Sequence, residues 1–426
     1  MKLLLITYYF PPCGGASVQR WLKWLPELVR LGHEITVITT LNGDYPVLDE
    51  SLLEEVPREI KVLRVPSPSP GKLWKLLFGA NSRLPHGNLD NSRDSGFLRR
   101  AMVWIRVNLI IPDMRRIWNP RAYKAAVEHL RNKPTDLVIT TGPPHSTHLI
   151  GLKLKTRYRL PWVADWRDPW TGIYYLKLNP PCALSRKINL GLERKVANSA
   201  DMNIVVSQHL ARHLGTAKTT VIYNGYDATK HCTLDDPSPP QKSDKFKIKY
   251  IGRVTEGQKL FDMLNLIRNT LGDKDYELTL LGTGLNDTQL SQMRGMLGSK
   301  LRIVGFVPHN EALREMADAH LLLLLINYYE GFEGMLTTKL FEYLASGVEI
   351  LCLGPHGSEA EQLIDTYQAG QCFDLSEAEA AALFINNSYQ AWQQNARTVR
   401  SMDITALSSQ QQALSLNDVL LGLKKH

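Results

Sequence analysis

The sequence reads as an α/β protein built from two doubly wound domains, each a parallel sheet flanked by helices. Three observations lead there. Short β-branched strands alternate with amphipathic helical stretches from residue 2 onward, the pattern of a βαβ array. A polar, Pro-rich stretch, "ATKHCTLDDPSPPQKSDKF" at residues 228–246, then interrupts the alternation. After it the same alternation restarts. A chain of 426 residues exceeds one ordinary domain, so two is the natural count.

In chain order, "KLLLITYYF" is the first strand, "SVQRWLKWLPELVRLGH" an amphipathic helix ending at Gly32, and "EITVITT" the second strand. Residues 66–120 are turn-rich and carry a basic, apolar segment, "FLRRAMVWIRVNLII". "TDLVITTG", "PWVADW" and "MNIVVS" resume the strands. Beyond the polar stretch come strand "FKIKYIGRV", helix "LFDMLNLIRNTL", and strands "YELTLLGTG" and "RIVGFV". Helix "NEALREMADA", strand "HLLLLLI", helix "TTKLFEYLASG" and strand "EILCLG" follow. The expected division is residues 1–215, completed by a C-terminal helix at 405–426, and residues 216–404. In such folds ligands bind beyond the carboxyl ends of the strands, here in a crevice between the two domains.

Composition narrows the class. Hydrophobic residues make up 44% and charged residues 22%, which suits a globular protein and not a disordered one. No apolar run approaches the roughly 18–20 residues needed to span a bilayer. The opening "MKLLLITYYFPP" is read as a strand, because its apolar run is shorter than a secretory signal's. Five scattered cysteines without CxxC spacing suggest reduced thiols in a cytoplasm and no zinc site. Charge is lopsided: residues 1–200 hold 30 Lys and Arg against 16 Asp and Glu, the remainder 20 against 26. The first half therefore faces something anionic, and with no nucleic-acid motif a membrane surface or an acidic substrate is expected.

Several stretches carry chemistry. Gly14 and Gly15 remove two β-carbons where the first strand hands over to a helix, a place where exposed N–H groups and the helix dipole suit a phosphate. The alternative is a structural βα turn, since the pattern is not GxGxxG. Arg253 and Lys259 share one post-strand loop, and two cations can divide the charge of a diphosphate. "EGMLTTKLFEYLASG" offers Met335, Leu336, Thr337 and Thr338 ahead of a helix that carries Glu342 in an apolar setting. A carboxylate one turn inside such a helix can accept hydrogen bonds from a ribose diol. "DWRDPW" places Asp165, Arg167 and Asp168 at a strand end, and His145 follows the preceding strand in "GPPHS". "DWRD" is not a DxD metal motif.

Together, "YYFPPCGGASVQRWLKWLPELVRLGHEITVITT", "VIYNGYD", "YIGRV…K", "LTLLGTG", "IVGFVPHNEALREMADAHLLLLL" and "KLFEYLASGVEIL" resemble the GT-B glycosyltransferases of the retaining group called family 4. The form "PPHSTHLIGLKLK…PWVADWRDPW" resembles a subgroup used in bacterial surface polysaccharide synthesis. The resemblance implies the GT-B fold, two Rossmann-like doubly wound domains facing across a crevice. It implies a nucleotide-sugar donor as substrate, no cofactor, no metal, and a glycan or lipid-linked acceptor. Gly14 and Gly15 would approach the donor diphosphate, and Arg253 and Lys259 would hold it. Phe306 and Val307 would meet the nucleobase through backbone, Glu342 the ribose, and Met335 to Thr338 the phosphate and sugar. Two departures stand out. The family's glutamate eight residues before Glu342 is Gly334 here, leaving Glu330 or Glu333 as substitutes. The histidine that many relatives carry near the anomeric carbon is Arg167 here, with His145 the nearest alternative. Arginine is no base at ordinary pH. Arg167 is therefore expected to stabilise charge or orient, and Asp165 or Asp168 to touch the acceptor hydroxyl. Two other readings stay open: a GT-B-fold sugar-nucleotide epimerase, and a non-catalytic nucleotide-sugar or carbohydrate binder.

Finally, "KLWKLLFG" and "FLRRAMVWIRVNLIIPDMRRIW" interleave cations with large apolar residues. Leu98, Met102, Ile105 and Leu109 share one helical face, with Arg99, Arg100 and Arg106 off it. That pattern suits a helix lying in an anionic membrane interface, so a cytoplasmic protein peripheral to the inner face of the membrane is expected.

Overall fold

The computed structural model describes all residues except 46, 69–96, 174–175, 177–178, 233–242, 256, 396–401 and 425–426. The chain divides into two compact units, Met1–Tyr223 with Gln410–His426, and Asn224–Ser409.

Unit 1 holds a seven-stranded parallel sheet: β1 (Lys2–Ile6), β2 (Glu34–Thr40), β3 (Lys61–Val65), β4 (Leu137–Gly142), β5 (Trp162–Trp166), β6 (Met202–Val205) and β7 (Thr219–Val221). Their spatial order is β3-β2-β1-β4-β5-β6-β7. The order reverses between β1 and β4, whose register runs Leu3 to Leu137 through Ile6 to Thr140. Side chains alternate along β1 and so divide the core in two. Leu4 and Ile6 pack with Trp118, Ile150 and Trp162. Leu3 and Leu5 pack with Trp24, Leu25 and Leu28 of helix Ala16–Arg30. The C-terminal helix Ser409–Lys424 returns to this second cluster and inserts Ala413, Leu416 and Leu420.

Unit 2 holds a six-stranded parallel sheet: β8 (Phe246–Ile251), β9 (Tyr276–Leu281), β10 (Leu301–Val304), β11 (Leu321–Leu325), β12 (Glu349–Leu353) and β13 (Gly370–Phe373). Their order is β10-β9-β8-β11-β12-β13, with the reversal between β8 and β11. The alternation in "FKIKYI" has a clear physical outcome. Phe246, Ile248 and Tyr250 enter the core with Met263, Leu264 and Ile267 of helix Leu260–Leu271. Lys247 and Lys249 point the other way, to helix His309–Ala317 and the residue that ends it. There Lys249 Nζ lies 2.8 Å from Asp318, also meets Glu315, and is fully buried. A buried ammonium needs such partners to offset its desolvation.

The stretch 66–120, read as an interruption, contains helix Phe97–Asn108 and a 3₁₀ turn Met114–Trp118. Of the amphipathic face expected there, the side chains of Leu98 and Met102 lie outside the described residues, as do Arg99 and all of "KLWKLLFG". Trp104 is 53% exposed and Leu109 66% exposed. No helix among the described residues is long and apolar enough to cross a membrane.

If the C-terminal helix is part of the unit 1 core, Leu416→Ala should destabilise that unit by roughly 2–5 kcal/mol, the usual cost of such a truncation. Urea denaturation followed by tryptophan fluorescence reads it directly, because eight of the nine tryptophans precede residue 224. An unchanged midpoint would show that the helix is dispensable.

Candidate functional site

Parallel strands send every βα loop to one sheet edge, and the seam where strand order reverses is where helices diverge and leave room. Each unit places its candidate residues at that seam.

In unit 1, the loop leaving β1 carries Gly14 and Gly15. A β-carbon on Gly14 would sit 3.0 Å from Asp49 Cβ and 3.2 Å from Val47, and its N–H donates to the Val47 carbonyl at 2.9 Å. The bare Cα of Gly14 thus accommodates the segment that packs over it. Gly15 has a φ of 82° with nothing within 4 Å of an added β-carbon, and it precedes helix Ala16–Arg30, whose first turn holds no acid. Gly15 is the open, left-handed position, a conformation glycine adopts freely.

Asp165, on β5, turns inward. Its carboxylate accepts from Trp21 Nε1 and Thr141 Oγ1 at 2.8 Å each and from Arg20 Nε at 3.2 Å, and both charged side chains are buried. Asp165 is therefore not the acceptor contact expected for it. It is the counter-charge of Arg20, whose guanidinium is also stacked 3.9 Å over Trp24 and is lowered by burial to about 10, still cationic at neutral pH.

Arg167 directs its guanidinium at main-chain carbonyls: Nε to Gly142 at 3.3 Å, Nη2 to Pro143 at 2.6 Å, and Nη1 to Ser17. One side chain thereby ties the loop after β4 to the first turn of the helix after Gly15. All three contacts are to main chain, so the guanidinium braces the loops here. Asp168 beside it is half-buried, and burial raises its carboxyl above the usual range against the pull of Arg167. His145 is buried and stacked on Trp170 at 5.6 Å and 11°. Burial lowers its imidazole to about 4, so it is neutral at physiological pH.

In unit 2, the loop after β8 presents Arg253 and Lys259, both exposed. Lys259 stands at the start of helix Leu260–Leu271. Tyr250 braces the loop from below, donating towards the Arg253 carbonyl and Gln258 Oε1, 3.1 Å each. The loop after β11 carries Glu330, exposed, and Glu333, whose Oε2 is buried without a partner among the described residues. Met335 and Leu336 lead to Thr337, the N-cap of helix Thr338–Ser346. Thr337 makes no side-chain capping bond, its Oγ1 is buried and unpaired among the described residues, and the first turn holds no acid. A helix start left uncapped in this way favours an anion. Glu342 lies in the same helix, 8% exposed, with His309 Nε2 3.5 Å from its Oε1. After β10, the Phe306 ring is 91% exposed beside Val307. Among the described residues no cluster of His, Cys, Asp and Glu could hold a metal ion.

Two features escaped the sequence. The stretch holding Arg20 and Trp21 was legible only as an amphipathic helix, and their bonds to Asp165 arise because the fold brings β5 against that helix. Lys339 was read only as part of a helix start. Its Nζ lies 2.9 Å from Tyr250 Oη, 4.3 Å over the Tyr250 ring, and 3.6 Å from where a β-carbon on Gly252 would be.

The model of the family described as Glycosyltransferase Family 4 matches residues 89–230. No curated protein sequence matches the chain. Among solved structures, the sucrose-phosphate synthase of Thermosynechococcus elongatus superposes with a TM-score of 0.64 at 14% identity, over 99% of this chain and 98% of its own. Anabaena HepE in complex with UDP-glucose gives 0.60 at 15% identity, over 99% and 100%. WaaG, a glycosyltransferase involved in lipopolysaccharide biosynthesis, gives 0.56 at 15% identity, over 99% and 100%. At these identities the likeness is one of fold, and the fold is GT-B.

Arg253→Ala and Lys259→Ala should each remove one charge-assisted contact to an anionic ligand of unit 2, worth roughly 1.5–3 kcal/mol. Affinity for a nucleoside diphosphate should fall about ten- to hundred-fold by isothermal titration calorimetry, with melting temperature unchanged. Unaltered affinity in both variants would remove the anion from this loop.

Proposed function

We infer that this chain, a glycosyltransferase of the GT-B type, moves a hexose from a nucleotide-sugar donor to a glycan or lipid-linked acceptor with retention, in cell-surface polysaccharide synthesis. The observation that carries the reading is the assembly at the β8/β11 seam of unit 2. Two exposed cations of one loop, an uncapped helix start and a buried glutamate of that helix all lie at one sheet edge. Such a set suits a diphosphate with a ribose beside it. Catalysis would then rest on electrostatic stabilisation of the departing diphosphate. Two basic side chains and a helix start neutralise that charge without a divalent ion. The UDP-glucose held by the Anabaena neighbour makes UDP-sugars the first donors to try.

The acceptor side of the reading draws on unit 1. Besides the excess of cations in residues 1–200, a cavity of about 580 Å³ opens between its helices. Arg116, Lys153, Arg157 and Lys195 surround it, Tyr123 and Leu192 help form its apolar wall, and no acid lines it among the described residues. A phosphorylated or otherwise anionic lipid carrier has the complementary character. With the exposed Trp104 and Leu109, this supports a protein peripheral to the cytoplasmic face of an anionic membrane.

Two measurements test the proposal. Purified protein should release nucleoside diphosphate from a UDP-, GDP- or ADP-sugar only when acceptor is added, and should do so in EDTA. Donor turnover without acceptor would point to an epimerase, and Mg²⁺-reversible loss in EDTA would establish a metal site. Separately, the protein should co-sediment with phosphatidylglycerol vesicles but not phosphatidylcholine vesicles at low ionic strength, and 0.5 M salt should release it. Arg99, Arg100 and Arg106 changed together to Gln should weaken that binding and leave donor affinity intact. Indifference to anionic vesicles would refute membrane association.

A further inference from the structure

Lys339 holds a position that neither its exposed neighbours nor the ordinary uses of lysine explain. It sits in the first turn of helix Thr338–Ser346, directly after the uncapped Thr337. Its ammonium is tucked under the loop leaving β8, against the Tyr250 ring and beneath Gly252. Gly252 has a φ of 112°, a conformation that side-chain-bearing residues rarely adopt, so the loop bends there over the lysine. The described contacts of Nζ are the Tyr250 hydroxyl and ring, and no carboxylate lies within ion-pair distance of it among the described residues. Lys249 of the same unit shows the contrast, since its buried ammonium meets two acids.

An ammonium held half-buried without a carboxylate is costly, and a counter-charge arriving from outside would offset that cost. Here the counter-charge has one direction of approach. Arg253 follows Gly252 directly, Lys259 ends the same loop, and the N–H groups of the helix start adjoin Lys339 itself. All four features converge on the β8/β11 seam. We propose that Lys339 is a third cationic group of the donor diphosphate site, concealed under the Gly252 turn and paired only when a diphosphate is bound. This deepens the donor reading above and rests on it.

The proposal has a thermodynamic signature that exposed cations lack. In the free protein burial lowers the Lys339 ammonium to about 7. A diphosphate beside it favours the charged form and restores a higher value. A group whose pKa rises on binding takes up a proton, most completely between its free and bound values. At pH 8 a free-state value near 7 leaves most of the sites neutral, so binding should take up a large fraction of a proton. The other titratable groups around Lys339 do not mimic this. Tyr250 on β8 and Tyr343 in the same helix are pushed far up by burial and stay neutral throughout. A proton taken up instead by the Glu342–His309 pair, one turn on and 3.5 Å apart, would persist in Lys339→Met.

The test is calorimetric titration of the full chain with UDP-glucose at pH 8, in buffers of different ionisation enthalpy. UDP-glucose has no phosphate that titrates near neutrality, so proton uptake belongs to the protein. Wild type should take up a large fraction of a proton at pH 8 and progressively less towards pH 6. Lys339→Met, which keeps the stem and removes the charge, should abolish uptake and weaken binding about ten- to hundred-fold. Lys339→Arg should also abolish uptake, because its charge does not titrate. Uptake absent from wild type, or persisting in Lys339→Met, overturns the assignment. The wild-type measurement decides even if a variant fails to fold. Should wild type bind neither UDP-glucose nor UDP, GDP or ADP, the donor reading itself fails. Binding without proton uptake sinks only the role of Lys339.

Discussion

The parallel pairing of β1 with β4 in one unit, and of β8 with β11 in the other, is the constraint on which everything else depends. Parallel strands force each connection to cross back through a helix, so all the loops that leave the strands gather at one edge. Where strand order reverses, successive helices pass to opposite faces, and the edge opens. Gly15, His145, Arg167 and Asp168 meet at that edge of unit 1, and Arg253, Lys259, Thr337 and Glu342 at that of unit 2. Residues separated by more than a hundred positions become neighbours because two short strands share a register.

Within that frame, charge away from the surface is handled in two ways. Asp165 and Arg20 neutralise one another in the core of unit 1, and Trp21 and Thr141 take up the remaining lone pairs. Lys249 does the same in unit 2 with Glu315 and Asp318. Both are closed arrangements whose opposite charges come from within the chain, and they secure a strand to a helix. Lys339 is an open one. Its ammonium has a hydroxyl and an aromatic face but no acid among the described residues, and it lies beside the anion-seeking features of the seam. Closed pairs hold the scaffold, and an open one leaves charge available to a ligand.

Much of this was legible in the sequence. Helix Leu260–Leu271 was read with the same bounds the structure has, because its apolar period is regular and Gly272 ends it. The inner strands were equally clear, since runs such as "LLLLL" and "WVADW" are buried on both faces of a parallel sheet. Three edge strands, β3, β7 and β13, were not, because their identity comes from a neighbour's hydrogen bonds and not from their own pattern. The loops expected to carry chemistry do leave the carboxyl ends of strands, because glycines, cations and hydroxyls after a strand are local signals. The direction in which each side chain points was not legible. Asp165 and Asp168 are equivalent in "DWRD", yet the first is sealed against Arg20 and the second is only half-buried.

What the sequence by itself determined, then, is the set of elements, their order, and the chemical inventory of the loops between them. These follow from periodicity and turn chemistry, which act over a few residues. Tertiary structure alone decided which charges cancel. Whether Asp165 finds Arg20, whether Arg167 is absorbed by the carbonyls of Ser17, Gly142 and Pro143, and whether Lys339 is left without an acid are matters of sheet order and strand-to-helix facing. Coulombic pairing depends on distance in space, and a protein sets that distance by packing elements that lie far apart along its chain.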